Sequence, residues 1–585
     1  MSKVWKTARC DEILASRLAG ELGIPVPLAA LLAVRGFSSA ESIDHFLHPR
    51  LSDIADPFLL PGMDKAVDRI WKAIEAKQQI VVFGDYDVDG ITSTALMIQI
   101  LGRLGAKVSP FLPHRIDDGY GLAAETLQRC IDELRPQLVI TVDCGTSAVD
   151  SVKLAERVGV DVVVTDHHES SGVVAPALAV VNPKFGSDEA SKSLAGIGVA
   201  FKLCHALLKR GRKNGQKVAE AVDLRTYLDL VGVGTIADVV PLKAENRILA
   251  RYGLDQLNRT QSVGLKALID VAGIQGKLDA YHVGFLIGPR LNAAGRLGDA
   301  QVALGLLLTD DPQRARDMAM QLDESNRERQ DVEKKIVEEA TKELEVLFDP
   351  KKHFGLVLAR KGWHPGVIGI VASRICQSYR RPTVVISLDE TDEGRGSCRS
   401  IEEFNIVERL AECSELLVRF GGHAMAAGLD VEASKIDAFR EKFNQVAARA
   451  LEGVDLRPVQ RIDAWIDLRE ADEGLLEGLD LMRPFGLGNS TPVWGSRGVR
   501  LVGPPRILKE KHLKLLVASG AAQLEAIAFG LGRQKVPAGL IDIAFQLDKN
   551  SYMGRESLQL KVQDFRAAKS IRIFSERGDP GVMEG

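Results

Sequence analysis

Short apolar runs rich in β-branched residues alternate with segments of helical apolar spacing between about residues 78 and 185. Such alternation is typical of βαβ units, whose strands lie parallel in one sheet. Helical patterns over 194–210 and 221–240 extend this predicted domain to about residue 270. The strand-like segments are IVVF, KVSPFL, LVITVD, DVVVTD and ALAVVNP, and the first helical segment is ITSTALMIQILGRL.

A run with few helix breakers follows at 314–348, with Val332, Ile336 and Ala340 at helical spacing on one side. It predicts one helix of about 50 Å, at 1.5 Å per residue, linking two bodies. Two shorter helices joined by a turn near Asp323 are an open alternative.

The last part of the chain changes from α/β to all-β patterning. A second α/β unit is predicted from 353 to about 450, with FGLVLA and PTVVISL as strands around the helical VIGIVASRICQSY. HLKLLVAS, LEAIAFGL, LIDIAFQLD and SLQLKVQDF then alternate without intervening helices, which predicts a small barrel. The predicted divisions are an N-terminal segment 1–50, a parallel-sheet α/β domain 51–300, a linking helix 301–350, a smaller α/β domain 351–455, an all-β barrel 456–568 and a flexible tail 569–585.

The composition of the 585 residues, 45% hydrophobic and 26% charged, is that of a soluble protein. The opening MSKVWKTARCDE has no apolar core of a signal peptide. Seven scattered cysteines without a CxxC pair argue against a disulfide framework and favour a reducing cytoplasm. Because the net charge is -4, any contact with nucleic acid has to come from local basic surfaces.

Acidic residues and histidines follow three of the predicted parallel strands directly. DYDVDG alone could open an EF-hand loop, but the twelfth loop position is Leu96 rather than glutamate, and a strand precedes it. Side chains at the carboxyl ends of parallel strands converge on one crevice. The residues at these strand ends are Asp85, Asp87, Asp89, Asp143, Asp166, His167 and His168.

So many carboxylates and imidazoles in one crevice would repel one another unless cations lie among them. A mixed Asp and His set suits Mn²⁺ or Mg²⁺ better than Zn²⁺. Asp238, in an otherwise apolar segment, belongs to the same predicted site because a bare buried carboxylate is costly. Any single strand-end aspartate could instead cap the next helix. Two metal ions sharing a carboxylate would activate water for hydrolysis of a phosphoester or phosphoanhydride.

The motifs DYDVDG, VDCG, TDHH and GTIADVVPL resemble the signature motifs of the DHH phosphoesterase superfamily. Within it, the chain from about residue 20 to 568 resembles a bacterial family of single-stranded-DNA-specific exonucleases. This resemblance implies DHH, DHHA1 and OB-fold domains, and 5′-to-3′ hydrolysis to 5′-mononucleotides in DNA repair, recombination and mismatch repair. The segments that carry it are FGDYDVDGITSTAL, HRIDDGYGL, TVDCGTSA, SKSLAGIGVAFKL, GPRLNAAGRLGDA and GGHAMAAGL.

The resemblance also implies roles for the crevice residues. Asp143 is expected to bridge two ions, His168 to face the scissile phosphate, and Asp166 to orient the histidines. Asp85 is expected to replace a superfamily histidine at the position of Phe83. The implied metal ligands are Asp85, Asp87, Asp89, Asp143, His167 and Asp238, and the implied catalytic group is His168, Asp143 and Asp166.

Segments that combine small residues with arginine are expected to grip phosphates, although ordinary surface arginines are the alternative. The predicted substrate-binding residues are Arg115, Arg290, Asn292, Arg296, Ser397, Arg399 and His423. A basic strip, defined as Arg497, Arg500, Arg506, Lys509, Lys511 and Lys514, would follow a phosphate backbone or would merely guard an edge strand.

Single-stranded DNA is the expected partner, together with a helicase and a single-strand-binding protein, and the chain is expected to be monomeric. Single-strand selectivity would follow from a narrow passage between the two α/β domains. A small-substrate DHH phosphodiesterase is a competing hypothesis, but such relatives usually lack the C-terminal barrel. A catalytically dead scaffold is a third, which intact Asp87, Asp89, Asp143 and His167 disfavour.

Overall fold

The fold is described from a computed structural model, which describes residues 3–114, 121–170, 172–552 and 555–568. The chain forms two compact units. Unit 1 comprises Met1–Pro49, Arg457–Arg483 and Ser490–Gly585, and unit 2 comprises Arg50–Leu456 and Pro484–Asn489. The predicted tail 569–585 lies outside the described residues.

The strands are β1 Val4–Thr7, β2 Gln79–Gly84, β3 Lys107–Phe111, β4 Leu138–Val142, β5 Asp161–Thr165, β6 Ala179–Val181, β7 Leu356–Lys361, β8 Thr383–Leu388, β9 Glu393–Arg399, β10 Arg419–Gly422, β11 Ala426–Glu432, β12 Val459–Ile462, β13 Ala464–Trp465, β14 Trp494–Leu501, β15 Arg506–Leu508, β16 His512–Ser519, β17 Ala522–Ala528, β18 Ile541–Tyr552 and β19 Arg555–Ala567.

The α-helices are α1 Glu12–Leu22, α2 Val26–Val34, α3 Ala40–Leu47, α4 Met63–Glu75, α5 Val88–Arg103, α6 Ala124–Leu134, α7 Val149–Arg157, α8 Gly196–Lys213, α9 Lys217–Glu220, α10 Leu228–Ala237, α11 Ala244–Leu257, α12 Val263–Val271, α13 Ala280–His282, α14 Gly288–Leu297, α15 Ala300–Leu308, α16 Pro312–Leu347, α17 Ile368–Tyr379, α18 Ile406–Ala411, α19 Ile436–Ala450 and α20 Glu473–Leu481. A π-helical turn, Val283–Ile287, joins α13 to α14.

The first sheet of unit 2 is entirely parallel, with the order β3-β2-β4-β5-β6. Successive residues of β2 enter different cores: Ile80 and Val82 pack in one cluster with α4, α5 and α8, and Val81 and Phe83 in another with α6 and α7. Burial on both faces explains why these strands are continuously apolar. The predicted parallel-sheet α/β domain is confirmed.

The second sheet of unit 2 has the order β10-β11-β9-β8-β7, in which only β7 and β8 run parallel. One uninterrupted helix, α16, connects the two α/β parts, so the two-helix alternative is wrong. Its N-cap Asp311 accepts hydrogen bonds from the N–H groups of Gln313 and Arg314, and Pro312 occupies the first turn.

Five strands of unit 1 close into a ring in the order β14-β18-β19-β17-β16, because β16 also pairs with β14. A closed five-stranded ring is the architecture of an OB-fold, so the predicted barrel is confirmed. The segment is not free of helices, however, since α20 lies between β13 and β14. Residues 1–50 were predicted as a separate segment, but β1 pairs with β12 inside unit 1.

None of the described helices is both long and apolar enough to cross a bilayer. All seven cysteines are free thiols, six of them buried.

Candidate metal centre

The carboxyl ends of β2, β4 and β5 lie side by side, since these strands are neighbours in a parallel sheet. Each strand runs directly into an aspartate: Asp85 after β2, Asp143 after β4 and Asp166 after β5. All three side chains are buried. The sequence prediction that they converge is therefore confirmed, and we call this edge of the sheet the crevice.

The loop after β2 turns sharply into α5. Asp87 is the N-cap of α5, and its Oδ1 accepts a 3.0 Å hydrogen bond from the N–H of Gly90. A Cβ on Gly90 would lie 2.4 Å from the carbonyl oxygen of Asp85, so only glycine fits here. The turn places Asp89 in the first turn of α5, where it is buried.

The N-terminus of α8 holds the Asp89 carboxylate. Gly196 N–H donates to Oδ2 at 2.6 Å, and Ile197 N–H donates to Oδ1 at 2.7 Å. Unpaired N–H groups and the helix dipole both favour negative charge at this position. Gly196 also has no room for a side chain, because a Cβ would lie 2.6 Å from Oδ1 of Asp143.

The Nε2 atom of His167 lies among three carboxylates. It is 3.1 Å from Oδ1 of Asp143, 3.7 Å from Oδ2 of Asp238 and 3.9 Å from Oδ2 of Asp89. Within the described part of the chain, His167 Nε2, Asp143 Oδ1 and Asp238 Oδ2 are buried atoms with no hydrogen-bond partner, so the 3.1 Å approach is not a hydrogen bond. Buried ligand atoms that face one another in this way fit a divalent cation.

Burial and mutual repulsion raise the pKa values of the crevice carboxyl groups. Burial raises the pKa of Asp143 well above its usual 3.8, and the charge of Asp87 raises it further. The pKa of Asp89 is raised in the same way, by burial first and then by the charge of Asp143. Burial also raises the pKa of Asp238, against the opposing effect of His167. A bound cation would remove this penalty, which supports the metal assignment.

Two groups of described residues could each hold an ion: Asp143, His167 and His168, and Asp89, His167 and Asp238. An imidazole nitrogen has one lone pair, whereas a carboxylate can accept at both oxygens. The two groups share His167, and only the first contains Asp143, so Asp143 as the bridge stays a prediction. Asp85 and Asp87 belong to neither group, and Oδ1 of Asp85 accepts a 2.7 Å hydrogen bond from the N–H of Tyr86.

Asp166 contacts both histidines. Its carboxylate accepts from the N–H groups of Thr146, His167 and His168 and lies 2.7 Å from Nδ1 of His168. Burial alone would raise the pKa of Asp166, but the hydrogen bonds from His168 and Thr146 hold it well below its usual value. A charged Asp166 fixes the ring of His168 through Nδ1 and points Nε2 away from itself.

Sequence reasoning missed Asn182, a buried residue that follows β6 directly. Its Nδ2 donates to the carbonyl of His168 at 3.0 Å and to Oγ1 of Thr146 at 2.9 Å. Applying the strand-end rule to β6 as well would have found it. The N–H groups of Gly196 and Ile197 gave no such signal, because backbone donors leave no mark on residue type.

Two predicted substrate residues of α14 contact the second α/β part or the loop between β2 and α5, which we call the crevice loop. Oδ1 of Asn292 accepts a 3.1 Å hydrogen bond from the N–H of Val88, and Arg296 Nη1 donates to the carbonyl of Gly366 at 3.1 Å. Arg290 is engaged elsewhere, in an ion pair of 2.8 Å with Asp323 of α16. Arg115 lies outside the described residues.

A groove of about 490 Å³ opens on the second sheet and includes Ser397. Arg399 lies beside it and donates to Oγ of Ser397 at 3.2 Å. His423 is exposed in the turn between β10 and β11 and does not line the groove. We call this groove, defined by Gly366, Arg395, Ser397, Arg419, Gly421 and Gly428, the phosphate groove.

The basic strip occupies β14, β15 and β16 and their connecting turns in unit 1. Arg497 stacks on the ring of Trp465 at 4.5 Å, and Lys514 pairs with Glu525 at 3.0 Å. Lys509 and Lys511 are exposed in the β15–β16 turn and form no ion pair with any described residue. Since β15 is an end strand of its sheet, the edge-strand alternative also fits the geometry.

The parallel sheet and its crevice of aspartates and histidines define a DHH protein. The model of the DHH family N-terminal domain matches residues 79–235, that of the DHHA1 domain 352–449 and that of the RecJ OB domain 462–564.

The chain belongs to the RecJ family. It is 38% identical to the single-stranded-DNA-specific exonuclease RecJ of Bacillus subtilis, over 98% of this chain and 72% of that one. It is 35% identical to the protein of the same name from Escherichia coli, over 92% and 96%. The crystal structure of RecJ in complex with Mn²⁺ from Thermus thermophilus is similar, with a TM-score of 0.83 and 30% identity over 97% of this chain and 80% of that chain.

Proposed function

We propose that this protein is a metal-dependent exonuclease that hydrolyses single-stranded DNA from the 5′ end to 5′-mononucleotides. The observation that carries the proposal is the set of buried, partnerless ligand atoms of Asp143, His167 and Asp238 at the end of the parallel sheet. Membership of a family whose relatives are named single-stranded-DNA-specific exonucleases supports the substrate. In this proposal the catalytic site lies in residues 51–300, and residues 301–350 link it to the second α/β domain. Residues 351–455 bind the terminal nucleotide, and residues 456–568 bind the rest of the strand.

Asp87, Asp89, Asp143, His167 and Asp238 would hold two Mn²⁺ or Mg²⁺ ions, with Asp85 as a further ligand. Relatives whose structures contain Mn²⁺ and Mg²⁺ support this choice of ions, and the oxygen-rich donors suit it. When bound, such ions supply activated water and neutralise charge that develops on a phosphate.

His168 is the group that would face the scissile phosphate. Its side chain is 35% exposed, whereas that of His167 is 12% exposed. The Asp166 carboxylate lies 2.7 Å from Nδ1 of His168 and orients the ring, so that Nε2 is the nitrogen that would meet a phosphate oxygen. In this proposal His167 holds a metal ion, and His168, although it also belongs to one of the two possible ligand groups, faces the substrate.

The phosphate groove would bind the terminal 5′ phosphate and so set the polarity. Arg395 supplies positive charge beside Ser397, whereas Arg419 is paired with Asp430 in the same groove, and glycines let the ligand approach the backbone. Arg399 lies two positions after Ser397 and His423 two positions after Gly421, and in this proposal both bind the phosphate together with Arg115. A passage between the two α/β parts of unit 2 that is too narrow for a duplex would select single strands.

The basic strip would hold the incoming strand through its phosphates without reading its sequence. In the cell we propose a monomeric cytoplasmic enzyme of DNA repair and recombination, mismatch repair included. A helicase would supply its single strands, and a single-strand-binding protein would deliver them. The match of residues 462–564 to the RecJ OB domain disfavours a small-substrate phosphodiesterase.

The test is to incubate the pure protein and Mn²⁺ or Mg²⁺ with 5′-labelled single-stranded and double-stranded DNA. Early release of labelled mononucleotide from the single strand alone is expected. Release from the 3′ end first, or equal digestion of duplex, would refute the proposal. An Asp143→Ala variant is the inactive control, and full activity of that variant would contradict the metal assignment.

A further inference from the structure

We propose that Asn292–Arg296 of α14 is a rigid junction that sets the spacing between the crevice and the phosphate groove. Its residues are positioning residues: they keep the first phosphodiester bond at the crevice while the terminal phosphate occupies the groove. The inference rests on the proposed function, which it deepens by naming what fixes the length of the product.

One side of the junction presses on the crevice loop. Asn292 accepts the N–H of Val88, the residue between Asp87 and Asp89, at 3.1 Å. A Cβ on Gly295 would lie 2.7 Å from the carbonyl oxygen of Tyr86, so the backbone of α14 touches the backbone of the loop. Any shift of α14 therefore shifts the start of α5 and its two aspartates.

The other side of the junction presses on the wall of the phosphate groove. Arg296 Nη1 donates to the carbonyl of Gly366 at 3.1 Å, and a Cβ on Gly366 would lie 2.6 Å from the carbonyl oxygen of Arg296. Gly366 lines the groove together with Ser397. This second contact is again between backbones.

The two contacts fall on consecutive residues, Gly295 and Arg296, whose Cα atoms are about 3.8 Å apart by covalent geometry. Backbone contacts cannot adjust by changing rotamers, as side-chain contacts can. The remaining face of α14 is fixed as well, because Leu291 and Ala294 are buried in the core and Arg290 is paired with Asp323 of α16. The spacing of the two sites is thus set where α14 is held by backbone contacts on both sides.

The matched test uses three glycine-to-alanine variants of the whole chain. Gly366→Ala disturbs the groove side, Gly295→Ala disturbs the crevice side, and Gly284→Ala is the control. Gly284 lies in the π-helical turn of the same helical run, is exposed, and has open space where a Cβ would lie. Melting curves show whether each variant is folded.

The readouts are the cleavage rates on single strands with 5′-phosphate and 5′-hydroxyl ends, and the Mn²⁺ concentration for half-maximal activity. For Gly366→Ala we expect a loss of about tenfold or more on the phosphorylated strand, since a misplacement near 1 Å can cost far more. Its preference for the 5′ phosphate should fall, while its half-saturating Mn²⁺ stays within about twofold. Gly295→Ala should lose rate and also require more Mn²⁺, because its clash moves the aspartates.

The proposal would be refuted if Gly366→Ala and Gly295→Ala fold and match Gly284→Ala in cleavage rate, end preference and Mn²⁺ requirement. If Gly366→Ala does not fold, Gly295→Ala carries the test, and an unchanged Mn²⁺ requirement in that variant would likewise refute the proposal. Failure of the unsubstituted protein to release mononucleotides from single strands would instead refute the proposed function itself.

Discussion

Asp143 has two energetically unfavourable properties that are typical of a metal-binding residue. Its backbone is in the left-handed region, at φ 62°, and its carboxylate is buried among other carboxylates. Strained conformations of non-glycine residues persist where the surrounding structure holds them, often at functional sites. Asp143 N–H donates to the carbonyl of Thr165, which fixes the residue at the end of β4.

Asp143→Asn should therefore stabilise the metal-free protein and abolish most of its activity. The neutral amide removes a buried charge that burial and the neighbouring carboxylates destabilise. Thermal melting in EDTA should give a higher midpoint than for the unsubstituted protein, while added Mn²⁺ should give a smaller upward shift. Asp229→Asn is the control, because Asp229 is also buried but bonds to Thr260 outside the crevice. A lower midpoint in EDTA for Asp143→Asn would contradict this account.

The pH dependence of metal binding follows from the same pKa shifts. The folded-state pKa values of Asp89, Asp143 and Asp238 are raised, so without metal their contribution to stability is complete below about pH 3.8 and is lost as the pH rises through the raised values. Mn²⁺ competes with these protons, so its affinity should rise with pH over that interval, with proton release. Calorimetry in two buffers of different ionisation enthalpy measures the release, which Asp238→Asn should reduce. Proton uptake on binding would be incompatible with this assignment.

At the residue scale, the sequence predicted the side chains that end strands and missed those that act across the fold. Asp85, Asp143 and Asp166 could be found because a parallel sheet aligns its strand ends. The grip of α8 on Asp89 joins residues more than a hundred positions apart. No local pattern encodes such a contact.

At the scale of elements, long and strongly periodic segments were the most predictable. Helix α16 runs through the place near Asp323 where a turn was an open alternative, because Asp323 is fixed by Arg290 and Arg327 rather than exposed in a loop. Helix α20 was missed within an otherwise all-β region, although Asp472 caps it and Leu475 and Leu479 show helical spacing. A short helix between strands has too few turns for its helical spacing to stand out from the alternating pattern of the neighbouring strands.

Glu333 ties α16 to α17 and should be the most sensitive polar residue of this contact. Its side chain is 3% exposed and pairs with Arg329 at 2.8 Å and with Arg374 of α17. Glu333→Gln removes the negative charge that faces these two guanidinium groups. We therefore expect a loss of about 1–3 kcal/mol in the free energy of unfolding. Denaturant unfolding measures it, with the exposed Glu338→Gln of the same helix as the control. Equal stability of the two variants would show that the ion pairs contribute nothing.

At the scale of the whole molecule, charge is divided between sites of opposite sign. The crevice of unit 2 concentrates aspartates, whereas the β15–β16 turn of unit 1 exposes Lys509 and Lys511. With a net charge of -4, binding of a polyanion would require such local cations. The sequence revealed the strip itself, but not that two of its lysines stand exposed on a tight hairpin.

The last prediction concerns the salt dependence of strand binding. Lys509→Glu with Lys511→Glu should weaken single-stranded DNA binding and lower the slope of log K against log salt by about 1.4, at about 0.7 per lost phosphate contact. Binding is measured by fluorescence anisotropy in EDTA, so that no cleavage occurs. The control is Lys217→Glu with Lys266→Glu, which makes the same charge change at exposed sites of unit 2. If both double variants changed the slope equally, the strip would act only through net charge; if neither did, it would be an edge guard and not a DNA contact.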